Sequence, residues 1–269
     1  MKEEVDYRGK WALITGTTSG IGEQFSQLLA EKGLNLVLVS KNREKLTIQQ
    51  NSLNEIYKVE VECIVADLSN LNDIETVEER CRSNNHPISV LVNNAGFGIN
   101  ADFSKSQLSK QIEMVRVMVE TPLRLSSAVI PNMKDESFGY IINVSSVAGY
   151  MSGSTYCSAK AWLNNFTQSI YSELSSLGIH IHAICPGFTK SNFHSSCGQD
   201  VTGVPEIFWL TPEFVAKKAW ENVINGKVLY TPGLPYKFLM LIHKYAPTVM
   251  LNIYGNLAKS FLRRGGRNT

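Results

Sequence analysis

A tyrosine and a lysine four residues apart, Tyr156 and Lys160, are the side chains of this 269-residue sequence best suited to move a proton. Residues at positions i and i+4 share one face of a helix, so the phenol and the ammonium group are expected to be neighbours. A nearby cation stabilises a phenolate, and we therefore expect the pKa of Tyr156 to fall from about 10 towards neutral pH. Such a pair is suited to general acid/base catalysis.

Two adjacent serines, Ser145 and Ser146, end an apolar run shortly before this pair. A hydroxyl group at the end of a strand can hydrogen-bond a substrate oxygen on which negative charge develops. A strand-end or helix-capping hydroxyl is the alternative role for a serine in this position. The two residues therefore predict one substrate contact and one structural contact.

A glycine-rich segment, Thr15-Gly16-Thr17-Thr18-Ser19-Gly20-Ile21-Gly22, lies where the first predicted strand passes into the first predicted helix. The N–H groups at such a junction can bind the pyrophosphate of a nucleotide. Gly16 permits a sharp turn, Gly20 permits a close backbone approach, and Gly22 lets the helix pack tightly on the sheet. A glycine-rich turn without a ligand is the alternative for this motif taken alone.

Short apolar runs alternate with longer helical patterns along the chain, which predicts βαβ units around a buried parallel sheet. The predicted strands are residues 11–15, 35–40, 60–66, 88–92, 140–144, 179–185 and 228–231. The predicted helices are residues 20–32, 43–57, 71–84, 106–133, 155–176 and 212–225. No internal repeat or low-complexity linker divides these elements, so we predict an α/β fold: a single Rossmann-type doubly wound parallel sheet with helices on both faces.

The end of the chain differs from the rest in charge. We assign residues 1–234 to the catalytic domain and residues 235–269 to a C-terminal helical extension and basic tail of that domain. No acid follows Glu221, whereas seven bases do: Lys227, Lys237, Lys244, Lys259, Arg263, Arg264 and Arg267. Such asymmetry is typical of contact with an anionic surface, including peripheral contact with a membrane; a solvated tail, a dimer interface and a pocket lid are the alternatives.

The overall composition, 43% hydrophobic and 19% charged, is that of a globular enzyme with a full core. The five cysteines form no CxxC pair and the histidines show no metal-ligand spacing, so we predict neither disulfides nor a metal site. The N-terminus resembles neither a signal peptide nor a transit peptide, which together with the free cysteines predicts a cytoplasmic protein. We expect a small-molecule substrate and no nucleic-acid partner.

The spacing TGxxxGIG resembles that of the short-chain dehydrogenase/reductase family, whose other signatures follow in order up to about residue 189. These are an NNAG motif after the fourth strand, an acid after the third strand and a PG loop after the sixth. The resemblance implies cofactor-binding roles for Gly16, Thr17, Thr18, Ser19, Gly20, Ile21, Gly22, Asp67, Leu68, Asn93, Asn94, Ala95, Gly96, Pro186, Gly187 and Thr189.

The same resemblance implies roles for the candidate catalytic residues. In the family, the YxxxK lysine also holds the nicotinamide ribose and the tyrosine gives a proton to the carbonyl oxygen, which implies that Lys160 and Tyr156 contact the cofactor. Alignment with the family's INxSS pattern selects Ser146 as the substrate-orienting serine. The implied reaction is hydride transfer between a nicotinamide cofactor and a carbonyl or secondary alcohol. A homodimer or homotetramer is implied as well.

The choice of cofactor depends on the end of the second strand, where an acid would bind the ribose hydroxyls of NAD and repel a 2′-phosphate. The sequence there contains a small hydroxyl and two cations instead: Ser40, Lys41 and Arg43. We therefore predict NADP(H) as the cofactor and these three residues as its ligands. Arg43 has the alternative of a solvated surface cation, so Lys41 is the stronger candidate.

One position departs from the family pattern. Met118 stands where the family has an asparagine that supports a water relay behind the lysine, partly through its backbone carbonyl at a local helix irregularity. A methionine keeps that carbonyl, so one hypothesis is a weakened relay. The alternative is a nucleotide-binding regulatory or scaffold protein with weak or no catalysis. If the chain is an enzyme, the aromatic residues after Pro186 favour an apolar, lipid-like substrate, with packing in the core as the alternative role: Phe188, Phe193, Phe208 and Trp209.

Overall fold

The computed structural model describes residues 5–245, except for the side chains of His243 and Lys244, and this part contains one parallel sheet of seven strands. The strands lie in the order β3-β2-β1-β4-β5-β6-β7, so the direction of winding reverses between β1 and β4. The strands are β1 (Trp11–Thr15), β2 (Asn35–Ser40), β3 (Val61–Val65), β4 (Ile88–Asn93), β5 (Gly139–Val144), β6 (Ile179–Ile184) and β7 (Leu229–Tyr230).

Helices cover both faces of the sheet, which confirms the predicted α/β fold. The described residues form the α-helices α1 (Gly20–Glu31), α2 (Arg43–Tyr57), α3 (Leu71–Arg82), α4 (Leu108–Val115), α5 (Thr121–Asp135), α6 (Thr155–Leu174), α7 (Phe193–Ser196), α8 (Pro212–Ile224) and α9 (Leu234–Tyr245). Alternate residues of β1 enter two different hydrophobic clusters: Ala12 and Ile14 contact the side covered by α1, α2 and α8, and Trp11 and Leu13 contact the side covered by α3 to α6.

The predicted strands and helices agree with the structure to within two residues, except for the helix predicted at residues 106–133. That segment contains α4, a π-helical turn at Arg116–Glu120, and α5. Thr121 donates both its backbone N–H and its hydroxyl (3.0 Å) to the carbonyl of Arg116. Pro122 has no N–H to bond the carbonyl of Met118 four residues earlier, so the regular helical hydrogen bonding is interrupted there.

The C-terminal extension begins with α9, one residue before its predicted start. The remainder of the predicted extension and tail, residues 246–269, lies outside the described residues. Within residues 5–245, no helix is both long and apolar enough to cross a bilayer. All five cysteines, which lie within this range, are free thiols. The division of the chain at residue 234 stays a prediction.

Candidate active site

The glycine-rich segment forms a tight cradle between β1 and α1. Gly16 and Gly20 have φ values of +70° and +60°, which side chains of L-residues rarely adopt. A Cβ atom at Gly22 would overlap the carbonyl oxygen of Gly16, so only glycine lets α1 approach the turn this closely. The three glycines therefore let the turn after β1 and the start of α1 pack closely at the carboxyl edge of the sheet, where Ser191 lies against Gly20.

The NNAG segment after β4 is held against this cradle. The side-chain amide of Asn94 donates to the carbonyls of Thr15 (2.9 Å) and Gly16 (3.0 Å). The hydroxyl of Thr15 accepts hydrogen bonds from the backbone N–H groups of Asn94 (3.0 Å) and Ala95 (3.1 Å). Asn93 differs from its neighbour, because its buried amide donates to Asn143 Oδ1 (2.9 Å) inside the sheet. The geometry thus places Asn94 at the cradle and Asn93 in a structural contact.

The end of β2 offers hydroxyl groups and a cation on the side next to the cradle. Ser40 Oγ lies 3.0 Å from Thr18 Oγ1, and Lys41 Nζ lies 3.7 Å from Asp67 Oδ2. Burial alone would raise the pKa of Asp67, but hydrogen bonds from Ser69 and the charge of Lys41 lower it. Arg43 is exposed at the first residue of α2.

These residues fit a dinucleotide with a 2′-phosphate. The first N–H groups of α1 have no partner within the helix and can bind a pyrophosphate, and β2 ends at Ser40 rather than at an acid that would bind the adenosine ribose. The ion pair between Lys41 and Asp67 is largely exposed and contributes little stability, so Lys41 is free to bind an anion instead. Leu68, in contrast, is buried in a hydrophobic cluster.

Tyr156 and Lys160 lie on the first turns of α6, as predicted from their spacing. The side chain of Lys160 is buried and its Nζ atom donates to the carbonyl of Val144 at the end of β5 (2.8 Å). Nζ also lies 5.7 Å from the centroid of the half-buried Tyr156 ring. A Cβ atom at Gly96 would come within 3.8 Å of the same Nζ, so the NNAG loop borders the pair. The predicted pair is therefore assembled beside the cradle.

The expected fall in the pKa of Tyr156 is wrong. Burial raises the pKa of the phenol above its ordinary value, and the hydrogen bond with the Ser146 hydroxyl only partly opposes this effect. Burial also lowers the pKa of Lys160 to about 8. The ammonium group of Lys160 hydrogen-bonds the carbonyl of Val144, and the burial of the phenol, which the spacing of the two residues does not reveal, is the largest effect on its pKa.

The two serines after β5 have different surroundings. Ser145 is buried and its hydroxyl donates to the carbonyl of Lys160 (3.2 Å), so it fixes the position of α6. The hydroxyl of Ser146 accepts from Ala148 N (3.1 Å), donates weakly to Pro186 O (3.4 Å) and lies within hydrogen-bonding reach of Tyr156. Ser146 is thus the serine that faces the candidate proton donor.

Met118 lies at the π-helical turn and is buried behind the lysine. Its Sδ atom would be 3.1 Å from a Cβ at Gly96, the glycine that also borders Lys160. Because Pro122 has no N–H, the carbonyl of Met118 lacks the donor that a regular helix provides four residues later. The local irregularity expected at this position is present.

Replacing Met118 with asparagine is expected to raise kcat about threefold to tenfold, because the amide adds a second polar group to a chain of water molecules behind Lys160. Steady-state kinetics would measure the change, and Met114→Asn on the preceding helix is the control for inserting a buried amide. An unchanged or lower kcat in Met118→Asn would contradict the relay.

Tyr236 of α9 is a residue of the site that the sequence did not reveal. Its hydroxyl donates to Phe208 O (2.6 Å) and accepts from Phe188 N (2.9 Å), and its ring covers Gly187 so closely that a Cβ there would overlap it. The loop at residues 186–189, which the family resemblance places beside the nicotinamide, is therefore held by the C-terminal helix. The ring of Tyr236 can pack at this position only because residue 187 is a glycine without a side chain.

Removing this hydroxyl in Tyr236→Phe is expected to raise KM for the nicotinamide cofactor about threefold to tenfold with little change in kcat. The loss leaves the N–H of Phe188 and the carbonyl of Phe208 without their partner, which costs about 1–3 kcal/mol of loop stability. Cofactor titration would measure the effect, with Tyr245→Phe on the exposed face of α9 as the control. Equal effects of the two substitutions would argue against a positioning role for Tyr236.

An aromatic cluster extends from Tyr156 into the segment after β6. The ring of Phe193 lies 5.6 Å from that of Tyr156, and His194 contacts Phe193 (5.4 Å) and Trp209 (5.6 Å). The backbone N–H of Gly98 donates to Cys197 Sγ (3.0 Å), which fastens this segment to the loop after β4. An aromatic ring therefore packs against Tyr156, and further aromatic side chains continue from it.

Most of the chain is similar in sequence to known dehydrogenases and reductases. The family model described as "short chain dehydrogenase" matches residues 10–202. Hydroxysteroid dehydrogenase-like protein 1 of Gallus gallus is 32% identical over 231 residues, which cover 84% of this chain and 68% of that protein. Very-long-chain 3-oxoacyl-CoA reductase of Anas platyrhynchos is 30% identical over 250 residues, 89% of this chain and 77% of that protein.

A solved structure agrees with this likeness in three dimensions. A short-chain dehydrogenase from Sphingobium yanoikuyae in complex with NADPH has a TM-score of 0.80 and 28% identity, over 89% of this chain and 95% of that chain.

Proposed function

Since the chain belongs to the short-chain dehydrogenase family and is an oxidoreductase that acts on CH–OH or C=O groups, we propose that it transfers hydride between NADP(H) and an apolar, lipid-like carbonyl or secondary alcohol. The observation that carries the proposal is the placement of Tyr156, Lys160 and Ser146 around one point at the carboxyl edge of the sheet, beside the glycine cradle.

Three observations support NADP(H) over NAD(H) in this proposal. Ser40 and Thr18 present two hydroxyl groups at the end of β2, and the cation of Lys41 lies next to them. The residue that ends β2 is Ser40 and not an acid, which would repel a 2′-phosphate from that position. The similar structure from Sphingobium yanoikuyae holds NADPH.

The aromatic cluster supports an apolar substrate. Phe193 packs against Tyr156, and Phe188, His194 and Trp209 extend the apolar lining away from the proposed proton donor. Aromatic rings bind apolar groups through large buried areas and offer few hydrogen bonds to a sugar-like substrate. The names of the two avian relatives, a hydroxysteroid dehydrogenase-like protein and a 3-oxoacyl-CoA reductase, refer to substrates of this lipid-like kind.

In the proposed mechanism, the chemistry that a bound nicotinamide would supply is hydride transfer to or from the substrate carbon. The hydroxyl of Ser146 orients the carbonyl oxygen, and Tyr156 donates its phenolic proton to that oxygen. The raised pKa of Tyr156 keeps the phenol protonated at neutral pH, which suits a proton donor. The ammonium group of Lys160, next to the ring, stabilises the phenolate that forms.

The activity is expected to depend on pH through Lys160. Its pKa of about 8 means that the side chain is charged below this pH and becomes neutral as the pH rises through it. Since the cation stabilises the phenolate and binds the ribose, kcat/KM for carbonyl reduction should fall above about pH 8. Lys160→Arg, which stays charged, should be less active but should lack this descent. A wild-type profile that stays flat through about pH 8 would contradict this assignment.

A direct test compares substrates of different polarity. NADPH oxidation by the full chain would be followed with a long-chain 3-oxoacyl thioester, a steroid ketone and a ketose sugar. We expect the first two to have the higher kcat/KM, and a preference for the ketose would refute the apolar substrate. Tight NADPH binding without turnover on any of them would support the nucleotide-sensor alternative for this protein.

A further inference from the structure

Helix α9 has two different faces. Its inner face carries Tyr236, which is buried, and Leu239 and Met240, which pack against a hydrophobic cluster of the domain. Its outer face carries four large apolar side chains whose exposed fractions are 80%, 65%, 54% and 73% for Leu234, Phe238, Leu241 and Tyr245. A helix that is apolar on both faces requires a second partner besides its own domain.

The outer side chains form one continuous stripe. Their spacings of four, three and four residues place all four on the same side of a helix. At about 1.5 Å per residue the stripe is roughly 16 Å long. Single exposed apolar residues are common on protein surfaces, whereas an aligned row of four on one helix is typical of a binding surface.

The surroundings of the stripe are positively charged. Lys227 and Lys237 both contact one aromatic ring, with Nζ atoms 5.6 Å and 5.0 Å from the centroid of Tyr230. The sequence has no Asp or Glu after Glu221, so α9 itself contains cations and no acid. An anionic partner is therefore favoured over a neutral or basic one.

We infer that α9 is a membrane-binding helix, which lies in the plane of a bilayer containing anionic phospholipids and inserts the stripe Leu234, Phe238, Leu241 and Tyr245. The cations beside the stripe then contact the lipid headgroups. A second copy of this chain fits less well, because a two-fold interface would bring together two α9 helices that carry cations and no acid. This inference is independent of the proposed substrate and cofactor.

The test is co-sedimentation of the full chain with vesicles of phosphatidylcholine alone and of phosphatidylcholine mixed with phosphatidylserine. We expect the protein to bind the mixed vesicles, and the double variant Phe238→Glu/Leu241→Glu to bind them at least about tenfold more weakly. Ile48→Glu on α2 is the matched control, because Ile48 is also exposed (63%) but lies on a helix with acidic residues. It should bind as the wild type does.

A second variant distinguishes loss of membrane binding from misfolding of the double variant. Leu234→Glu places an acid at the first residue of α9, where a negative charge favours the helix, and should also weaken binding. The inference is overturned if the wild type stays in the supernatant with mixed vesicles, if it binds phosphatidylcholine equally well, or if both stripe variants bind unchanged. Dissociation of an oligomer by these variants without any vesicle binding would assign the stripe to contact between copies instead.

Discussion

Replacing Tyr156 with phenylalanine is expected to lower kcat for carbonyl reduction about a thousandfold. The substitution keeps the ring that packs 5.6 Å from Phe193 and removes only the phenolic hydroxyl group, with the proton that it donates. A positioned general acid contributes about 10²–10⁴ in rate. The phenol of Tyr156 is the candidate acid because it is protonated and hydrogen-bonds the hydroxyl of Ser146. Stopped-flow measurement of NADPH oxidation, combined with a cofactor-binding titration, would separate chemistry from binding.

The affinity for NADPH should change less than about threefold in the same variant, because the cradle and the end of β2 are untouched. Tyr171→Phe is the matched control, since Tyr171 lies on the same helix and packs against the core. It should retain wild-type turnover. If Tyr156→Phe kept more than about a tenth of the wild-type kcat, the phenol would not be the proton donor.

The second large effect concerns cofactor choice. Lys41→Ala is expected to raise KM for NADPH about tenfold to hundredfold while KM for NADH stays nearly constant, because a hydrogen bond to a charged group contributes about 1.5–3 kcal/mol. Adding Ser40→Asp should increase the preference for NADH further, since a carboxylate there repels the 2′-phosphate and accepts hydrogen bonds from the ribose hydroxyls.

The control for Lys41→Ala is the variant Lys58→Ala. Lys58 is an exposed cation that caps the far end of α2, about 22 Å along the helix from its start, and its loss changes the net charge equally. Parallel losses of NADPH and NADH affinity in Lys41→Ala would mean that Lys41 does not recognise the phosphate. A wild-type enzyme that prefers NADH would refute NADP(H) as the cofactor.

Local sequence signals predicted most of the fold. The bounds of β1, β2 and α2 agree with their predicted ranges, because β-branched and apolar runs end at polar residues and Asn42 caps α2 by accepting a hydrogen bond from Lys45 N (2.9 Å). The interruption at Met118 was present in the sequence as Pro122, a residue without an N–H, but one proline after a helical pattern did not suggest a π-helical turn.

The remaining features depend on contacts between distant parts of the chain. Tyr236 contacts a loop 48 residues earlier in the chain, and no local pattern marks a tyrosine for this purpose. The pKa of Tyr156 was predicted in the wrong direction because spacing reveals the neighbouring lysine but not the burial of the phenol. Helix spacing identified the two side chains, whereas packing decides their protonation.

A crystal structure of the wild-type chain with bound NADPH tests the central claim most directly. We predict the ribose hydroxyls within hydrogen-bonding distance of Lys160 Nζ, the 2′-phosphate against Ser40 and Lys41, and the nicotinamide C4 facing the space between Tyr156 and Ser146. A dinucleotide bound with its nicotinamide far from Tyr156 and Lys160 would contradict the proposed chemistry.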